Sequence, residues 1–392
     1  MTEILELEIE RILPGGVGLA HADNKTFFVT LAAPGDRVRV RVDRTRGSIS
    51  FASIVEVLSP SPLRVEPPCP YFGRCGGCDF QQLNYEAQLK AKSDIVKDCL
   101  HRITKLEPVP EIKVTPSPQQ WHYRGRATWQ FDSGQRAIGY YERGSRTVCD
   151  VADCAVLKPE LQAVLEQVRE VDWSNVPVDL KHLEVTATEE HNSFSPEFGN
   201  LRTETINLRV GDETYAYNAA AFFQANEFLL SPLLAAALGD TSGKLAVDLY
   251  SGVGLFTIAM ARRFSQVIAV ESSNKAIRFA RANLREADLH NAKVLGITAT
   301  EWFRENSFKP GSVDFLLLDP PRVGAESAVI KGIVGLQPRR ICYVSCDPAT
   351  LARDLKKLLA GGYQLTTIEA FDMFPQTHHV ETVVHLSLED VE

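Results

Sequence analysis

Two short segments near the end of the chain carry a nucleophile and a base. Val344-Ser345-Cys346-Asp347-Pro348 closes an apolar run, and Phe371-Asp372-Met373-Phe374-Pro375-Gln376-Thr377-His378-His379-Val380-Glu381 follows it. A thiol and a carboxylate together suit one demanding reaction, substitution at carbon 5 of a pyrimidine. An uncharged uracil ring is too weak a carbon nucleophile to take a methyl group unaided. A thiolate that adds at carbon 6 makes carbon 5 enolate-like, and a base must then remove the carbon 5 proton so that the thiol can leave. Cys346 fits the first role and Glu381 the second.

Residues of this kind need a rigid sheet behind them. Strand patterns at 245–249, 267–270, 293–297, 313–318, 340–344, 363–370 and 381–388 alternate, for the most part, with helix-compatible stretches. This predicts a doubly wound α/β sheet whose ligands sit at the C-terminal strand ends, where Asp319 and Cys346 both fall. The first of these strands runs into Tyr250-Ser251-Gly252-Val253-Gly254-Leu255-Phe256, and its glycines allow close approach of the backbone to a ligand. The next ends in Glu271, placed to accept hydrogen bonds from a ribose. Thr257 stands where a dinucleotide fingerprint has its third glycine, so S-adenosylmethionine is expected before a nicotinamide cofactor. Each residue has a duller reading: Cys346 as a buried strand-end thiol, Glu381 as an exposed strand-start charge, Asp319 as a cap before two prolines. A Ser-Cys-Asp-Pro loop at the active end of a sheet argues against the first, and Cys342 is the expected core thiol. His378 and His379 receive no role.

Eight cysteines without a secretory start point to metal binding, catalysis or burial rather than disulfides. Cys69, Cys75 and Cys78 form C-x5-C-x2-C in a loop bent by prolines and glycines. Three inward sulfurs suit tetrahedral zinc or an iron-sulfur cubane, and either needs a fourth ligand. Cys149 and Cys154 are the candidates; Cys99 falls within a helix expected from Asn84 to Arg102.

The first sixty residues read as a small all-β barrel, with strands at 5–9, 26–31, 37–42 and 50–58 separated by turn signals. Gly15, Gly16 and Gly18 are turn glycines, since no helix follows them. Ser59-Pro60-Ser61-Pro62 marks a linker. The middle of the chain reads as mixed α/β, with strands at 121–131, 135–142 and 181–188 and a helix at 158–171. Its Trp121-His122-Tyr123-Arg124-Gly125-Arg126 mixes aromatic and basic residues as a base-stacking surface does, although strand packing explains the aromatics equally well.

With 392 residues, 44% hydrophobic and 23% charged, the chain has room for two or three domains. A net charge of −8 argues against a nucleic-acid partner as a sum, but not as a distribution. From Arg11 to Ile54 seven basic residues face three acidic ones, and Arg37, Arg39 and Arg41 alternate with valines. A strand there gathers three guanidinium groups on one face, either to contact RNA or to guard a sheet edge. The start MTEILELEIERILP is acidic, and no apolar run reaches membrane-spanning length, so a soluble, cytoplasmic protein with no membrane partner is expected.

Asp319-Pro320-Pro321-Arg322-Val323-Gly324, Tyr343-Val344-Ser345-Cys346 and the Phe371–Glu381 segment resemble the signatures of the RNA 5-methyluridine (uracil-5-) methyltransferase family. The first sixty residues resemble the TRAM domain, an OB-like barrel that several members carry. The cysteine triple resembles their 4Fe-4S site, with Val151-Ala152-Asp153-Cys154 matching the context of the fourth ligand where Cys149 does not. The resemblance implies three parts: a TRAM RNA-binding domain (1–60), an iron-sulfur and central domain (61–215) and a Rossmann-like class I methyltransferase domain (216–392). It implies Cys346 as nucleophile and Glu381 as base. It places Gln224, Tyr250, Gly252, Leu255, Glu271 and Asp319 at the methyl donor, and Cys69, Cys75, Cys78 and Cys154 on the cluster.

The sequence departs from the family at Asp347 and Leu255, where asparagine is usual, and at Ala221, where serine is common. No chemical role is lost. An RNA 5-methylcytosine methyltransferase uses the same adduct, but Pro320-Pro321 is followed here by Arg322 and not by that family's second cysteine. A TRAM domain together with a cluster is commoner among the ribosomal-RNA enzymes than among bacterial transfer-RNA enzymes. The expected substrate is therefore a uridine of large-subunit (23S) ribosomal RNA, the alternative the T-loop uridine of transfer RNA, and the expected state a monomer.

Overall fold

The computed structural model describes residues 4–305 and 307–388. Six strands come first: β1 (Ile4–Glu8), β2 (Arg11–Leu13), β3 (Val17–Ala22), β4 (Lys25–Thr30), β5 (Arg37–Arg46) and β6 (Ile49–Ser59), in the order β1-β5-β6-β4-β3-β2. Two of them, β2 and β3, were not expected, because Gly15 and Gly16 turn the chain straight back on itself and Gly18 lies within β3. The sheet has its own core of Leu7, Ile9, Ala20, Phe27, Val29, Val38 and Val40.

The arginine face forms as the alternation predicts, with Val38 and Val40 buried beneath it. Its guanidinium groups are paired rather than free: Arg37 and Arg39 bond Glu6 at 2.9 and 3.0 Å, Arg39 also bonds Glu56, and Arg41 bonds Asp43 at 3.3 Å. Since β5 lies between β1 and β6, it guards no edge. Nor is the expected linker at 59–62 free. Buried Asp36 accepts from Ser61 N at 3.0 Å and from the Arg64 guanidinium at 2.6 Å, which ties this segment to the first sheet.

Helix α1 (Tyr85–Cys99) follows, its first turn closed by Asn84, whose side chain accepts from Ala87 N at 2.9 Å. The short β7 (Val114–Thr115) comes next. A five-stranded antiparallel sheet then forms from β8 (Arg126–Asp132), β9 (Ala137–Tyr141), β10 (Val148–Asp150), β11 (His182–Ala187) and β12 (Asn192–Ser195), in the order β10-β9-β8-β11-β12. Its apolar face packs on α2 (Pro159–Arg169), with Trp129, Leu161, Leu165 and Leu183 fully buried. A hairpin, β13 (Ile206–Val210) and β14 (Glu213–Tyr217), leads into the last unit.

That unit contains α3 (Leu230–Leu238), β15 (Gly243–Leu249), α4 (Leu255–Ala261), β16 (Phe264–Glu271), α5 (Asn274–Glu286), β17 (Ala292–Gly296), α6 (Ala299–Glu305) and β18 (Phe315–Leu318). It continues through α7 (Ser327–Leu336), β19 (Arg340–Ser345), α8 (Pro348–Ala360), β20 (Tyr363–Phe371) and β21 (Glu381–Leu388). The sheet order is β17-β16-β15-β18-β19-β21-β20-β7, with β15 to β19 parallel and β21 antiparallel between β19 and β20. Strand order reverses beside β15, which opens a crevice at the C-terminal strand ends. Parts of the expected unit 61–215 pack against this last unit. β7 joins the last sheet, Val96, Cys99, Leu100 and Ile112 enter its core, and the β13–β14 hairpin packs on its other face. No helix among the described residues is long and apolar enough to cross a membrane.

Candidate functional site

Three strand ends meet at Cys346, Glu381 and Asp319. In the β19–β21 ladder Val344 faces Val383 and Ser345 faces Thr382. One rung further, Cys346 follows β19 and Glu381 begins β21, so the thiol and the carboxylate come out side by side. Asp319 follows β18, whose Leu318 pairs with Tyr343 of β19, and its N–H donates to Leu249 O at 3.3 Å. Asp347 holds Cys346 at the mouth of α8 by capping that helix, its Oδ1 accepting from Thr350 N at 2.8 Å. Asparagine and aspartate cap equally well, so this departure from the family pattern leaves the turn intact.

Glu381 is not an exposed strand-start charge, being only 2% exposed. Burial, then the nearby Asp319, raise its carboxyl well above the ordinary range, while Arg322 opposes them. Burial lifts Asp319 to about 7. The Cys346 thiol is pushed up to about 12, first by burial and then by Glu381 and Asp319, again opposed by Arg322. This resting site therefore holds a protonated thiol beside two carboxyl groups that, once ionised, are stronger bases than ordinary carboxylates, with Arg322 as the nearby cation. Cys342 is fully buried, as expected of a core thiol.

The glycine turn after β15 fits a nucleoside-containing methyl donor. Gly252 and Gly254 have φ of 55° and 96°, and nothing lies within 4 Å of where a Cβ on Gly252 would project. Glu271 closes the turn by accepting from Gly252 N at 2.9 Å and Ser273 N at 2.6 Å. Ser251 Oγ and Asp248 Oδ1 are buried without a hydrogen-bond partner among the described residues, as polar groups kept for a ligand would be. Tyr250, at φ 63°, bonds Glu326 through its hydroxyl. Gln224 lies half-buried in the segment between β14 and α3. The Leu255 side chain joins the core, which leaves its backbone for a ligand.

Asp248 escaped the sequence reading, although an acid inside the apolar run Leu245-Ala246-Val247-Asp248-Leu249 is itself a signal. It is fully buried, accepts from Thr257 Oγ1 at 2.5 Å, and is raised to about 7 by burial with help from Asp319 and Glu271. Arg322, within the Asp319–Gly324 segment, is a second residue that escaped the sequence reading, because nothing local in the sequence shows what its charge acts on. His379, near it, is driven down to about 2 by burial, His378 and Arg322, and so stays neutral.

Cys69, Cys75, Cys78 and Cys154 line one pocket with Tyr71, Phe72, Tyr140 and Arg124. Cys149 is buried in β10 outside that lining. Gly77 N donates to Cys75 Sγ at 3.3 Å, as backbone amides do to ligating sulfur. The donor chemistry fits a thiolate-bound centre. As placed, however, no group of three or more His, Cys, Asp or Glu among the described residues stands ready to hold a metal ion.

Residues 199–389 match the model of the tRNA (uracil-5-)-methyltransferase family. An uncharacterized RNA methyltransferase of Thermotoga maritima is 33% identical over 97% of this chain and 98% of its own length. Another, of Aquifex aeolicus, is 32% identical over 98% and 99%. The crystal structure of Pyrococcus abyssi tRNA (uracil-54, C5)-methyltransferase in complex with S-adenosyl-L-homocysteine superposes with a TM-score of 0.74 at 25% identity, covering 98% of this chain and 100% of that one. With the glycine turn, the strand-end thiol and full-length similarity in agreement, the chain belongs to the RNA uracil-5 methyltransferase family and is an S-adenosylmethionine-dependent RNA methyltransferase.

Proposed function

We propose that this enzyme methylates carbon 5 of a uridine through a covalent adduct on Cys346, with Glu381 as the base. The observation that carries this reading is the β19–β21 register, which sets the two residues side by side at the open end of the sheet. Cys346 Sγ bonds to carbon 6 as its thiol proton passes to Asp319 in its carboxylate form, the acid whose charge acts on that thiol. Bound at the glycine turn, S-adenosylmethionine would supply an electrophilic methyl group to carbon 5, with S-adenosylhomocysteine as the leaving group. Glu381 then takes the carbon 5 proton, the double bond re-forms and Sγ leaves. Gln224, Tyr250, Gly252, Glu271, Asp319 and the Leu255 backbone are the residues proposed to hold the donor.

Large-subunit ribosomal RNA is the proposed substrate, supported by the separate N-terminal sheet and by the cysteine pocket. A transfer-RNA uridine is the second reading, favoured by the likeness to the Pyrococcus abyssi enzyme. A flipped-out base in a single-stranded loop suits either case, since Sγ must reach the ring face. Arg37, Arg39 and Arg41 contribute to RNA binding only as far as phosphates displace Glu6, Glu56 and Asp43. The pocket of Cys69, Cys75, Cys78 and Cys154 is proposed to hold a 4Fe-4S cluster, and the enzyme to act as a cytoplasmic monomer. The test offers labelled donor with protein-free ribosomal RNA and with transfer RNA lacking 5-methyluridine, followed by nucleoside analysis. Label in 5-methyluridine of ribosomal RNA is expected. Preferential labelling of transfer RNA reverses the substrate, and label in 5-methylcytosine overturns the reaction.

A further inference from the structure

Asp79 directly follows Cys78 and reaches out of the cysteine pocket to grip the segment that ends in Glu381. Its Oδ1 accepts the His378 backbone N–H at 2.7 Å, and its Oδ2 lies 2.5 Å from His378 Nδ1. The N–H groups of Asp79 and Phe80 both donate to Gln376 O at 3.0 Å. Gln88 of α1 adds a reciprocal pair with Gln376, Nε2 to Oε1 and backbone N to Oε1, each 2.9 Å. Gly16, in the turn between β2 and β3, closes on the same spot, since a Cβ there would stand 3.0 Å from His378 Cβ.

The gripped segment does not hold its shape on local grounds. Gln376 sits at φ 68°, a left-handed conformation that an L-residue adopts at a cost, so outside contacts must keep it there. Beyond the grip, the His378 and His379 rings lie 4.2 Å apart, and His379 Nε2 is 3.2 Å from the Arg322 guanidinium. A continuous path of contacts thus runs from Cys78 through Asp79, His378 and His379 to Arg322, whose charge acts on both Cys346 and Glu381.

We propose that Asp79 is a positioning residue for methyl transfer: it sets residues 376–379, and through them Glu381 and Arg322, and so makes the active-site geometry depend on the folded state of the cysteine loop. This rests on reading Glu381 as the carbon 5 base. A misplaced base leaves thiol addition and methylation possible but delays expulsion of the product, because displacement by about an ångström costs on the order of 10²-fold in such a step.

The experiment compares wild type with Asp79→Ala, Asp79→Asn, His378→Ala and Cys78→Ser. Hydrogen exchange of the 372–380 amides is followed beside single-turnover formation and decay of the RNA–protein adduct. Asp79→Ala and His378→Ala are expected to speed exchange in 372–380 with β15 to β19 unchanged, and to make the adduct accumulate because its decay slows more than its formation. Asp79→Asn, which still accepts the His378 N–H, should restore part of both. Cys78→Ser should show the same local exchange change, a readout that requires no turnover. If Asp79→Ala unfolds globally, His378→Ala breaks the grip from the other side without touching the cysteine loop. Wild-type exchange in 372–380 with Asp79→Ala, or equal slowing of formation and decay, overturns the inference. Absence of any adduct in wild type overturns instead the reading of Cys346 and Glu381, and leaves the exchange result to stand.

Discussion

Lys92 and Asp372 form an ion pair whose two side chains are both fully buried. Lys92 lies on α1, and Asp372 begins the loop between β20 and β21; Lys92 Nζ also donates to Phe374 O at 3.0 Å. The pair pins that loop at its start as Asp79 grips it near its end. Burial lowers the Lys92 pKa, and Asp372, with a smaller contribution from Asp79, opposes this.

Removing one partner strands the other charge in the interior. Lys92→Met is expected to destabilise the protein by roughly 3 to 5 kcal/mol. Lys92→Met combined with Asp372→Leu should recover much of that loss. Denaturant unfolding measures both, and additive losses in the double variant would show that the two residues do not act as a pair.

Cys346→Ala should abolish methylation and adduct formation together. Glu381→Gln should still form the adduct and release it slowly, since the nucleophile is intact and the base is missing. Denaturing gels of enzyme incubated with donor and RNA show the linked species, and full turnover by the alanine variant would remove Cys346 from the mechanism.

A thiol held near 12 is a poor nucleophile in the free enzyme. Alkylation of Cys346 by iodoacetamide, followed by peptide mass spectrometry, should be slow at pH 7.5 and still rising at pH 10. Glu381→Gln should speed it at the alkaline end of that range, where the Glu381 carboxyl ionises and its like charge would otherwise hold the thiol's pKa up. A rate that levels off below pH 8 would contradict this.

Asp319 illustrates the conflict between site and stability. Its carboxyl moves from 3.8 to about 7 on folding, so between these values the folded chain holds more protons than the unfolded chain. Stability contributed by this residue therefore falls as pH rises from about 4 to 7 and stays low above. Asp319→Asn should raise the melting temperature at pH 8 more than at pH 5, with methylation lost. An equal shift at both pH values would show that Asp319 does not titrate in this window.

Anaerobically purified protein is expected to be brown and to contain iron and sulfide, and Cys78→Ser to lose the colour. Cys149→Ser, which alters a cysteine outside the pocket lining, should keep it. Colourless protein with stoichiometric zinc would replace the cluster by a mononuclear site.

The catalytic half was legible in the sequence because its signals are local. Apolar strands followed by helix patterns, the Gly252–Gly254 turn and the acid at Glu271 each depend on residues close in the chain, and every one of those strands forms within three residues of the expected start. The N-terminal hairpin was missed because two glycines and a short β2 leave too little alternation to read. The middle strand expected from Trp121 begins only at Arg126, since 121–125 instead make loop contacts to residues 155, 156 and 225.

By itself the sequence determined which residues can do chemistry and the family to which they belong: a thiol, an acid, a glycine turn and a cysteine triple are chemical types, visible without coordinates. Only the tertiary structure decided their neighbours. The lining of one pocket by Cys69, Cys75, Cys78 and Cys154, the burial of Glu381, the pairing of the arginine face and the grip of Asp79 on His378 join residues far apart in the chain. Antiparallel insertion of β21 between β19 and β20 is what brings Cys346 and Glu381 together. Contacts of that range leave no periodic trace in sequence, because they arise from how packed sheets and helices meet and not from local backbone preference.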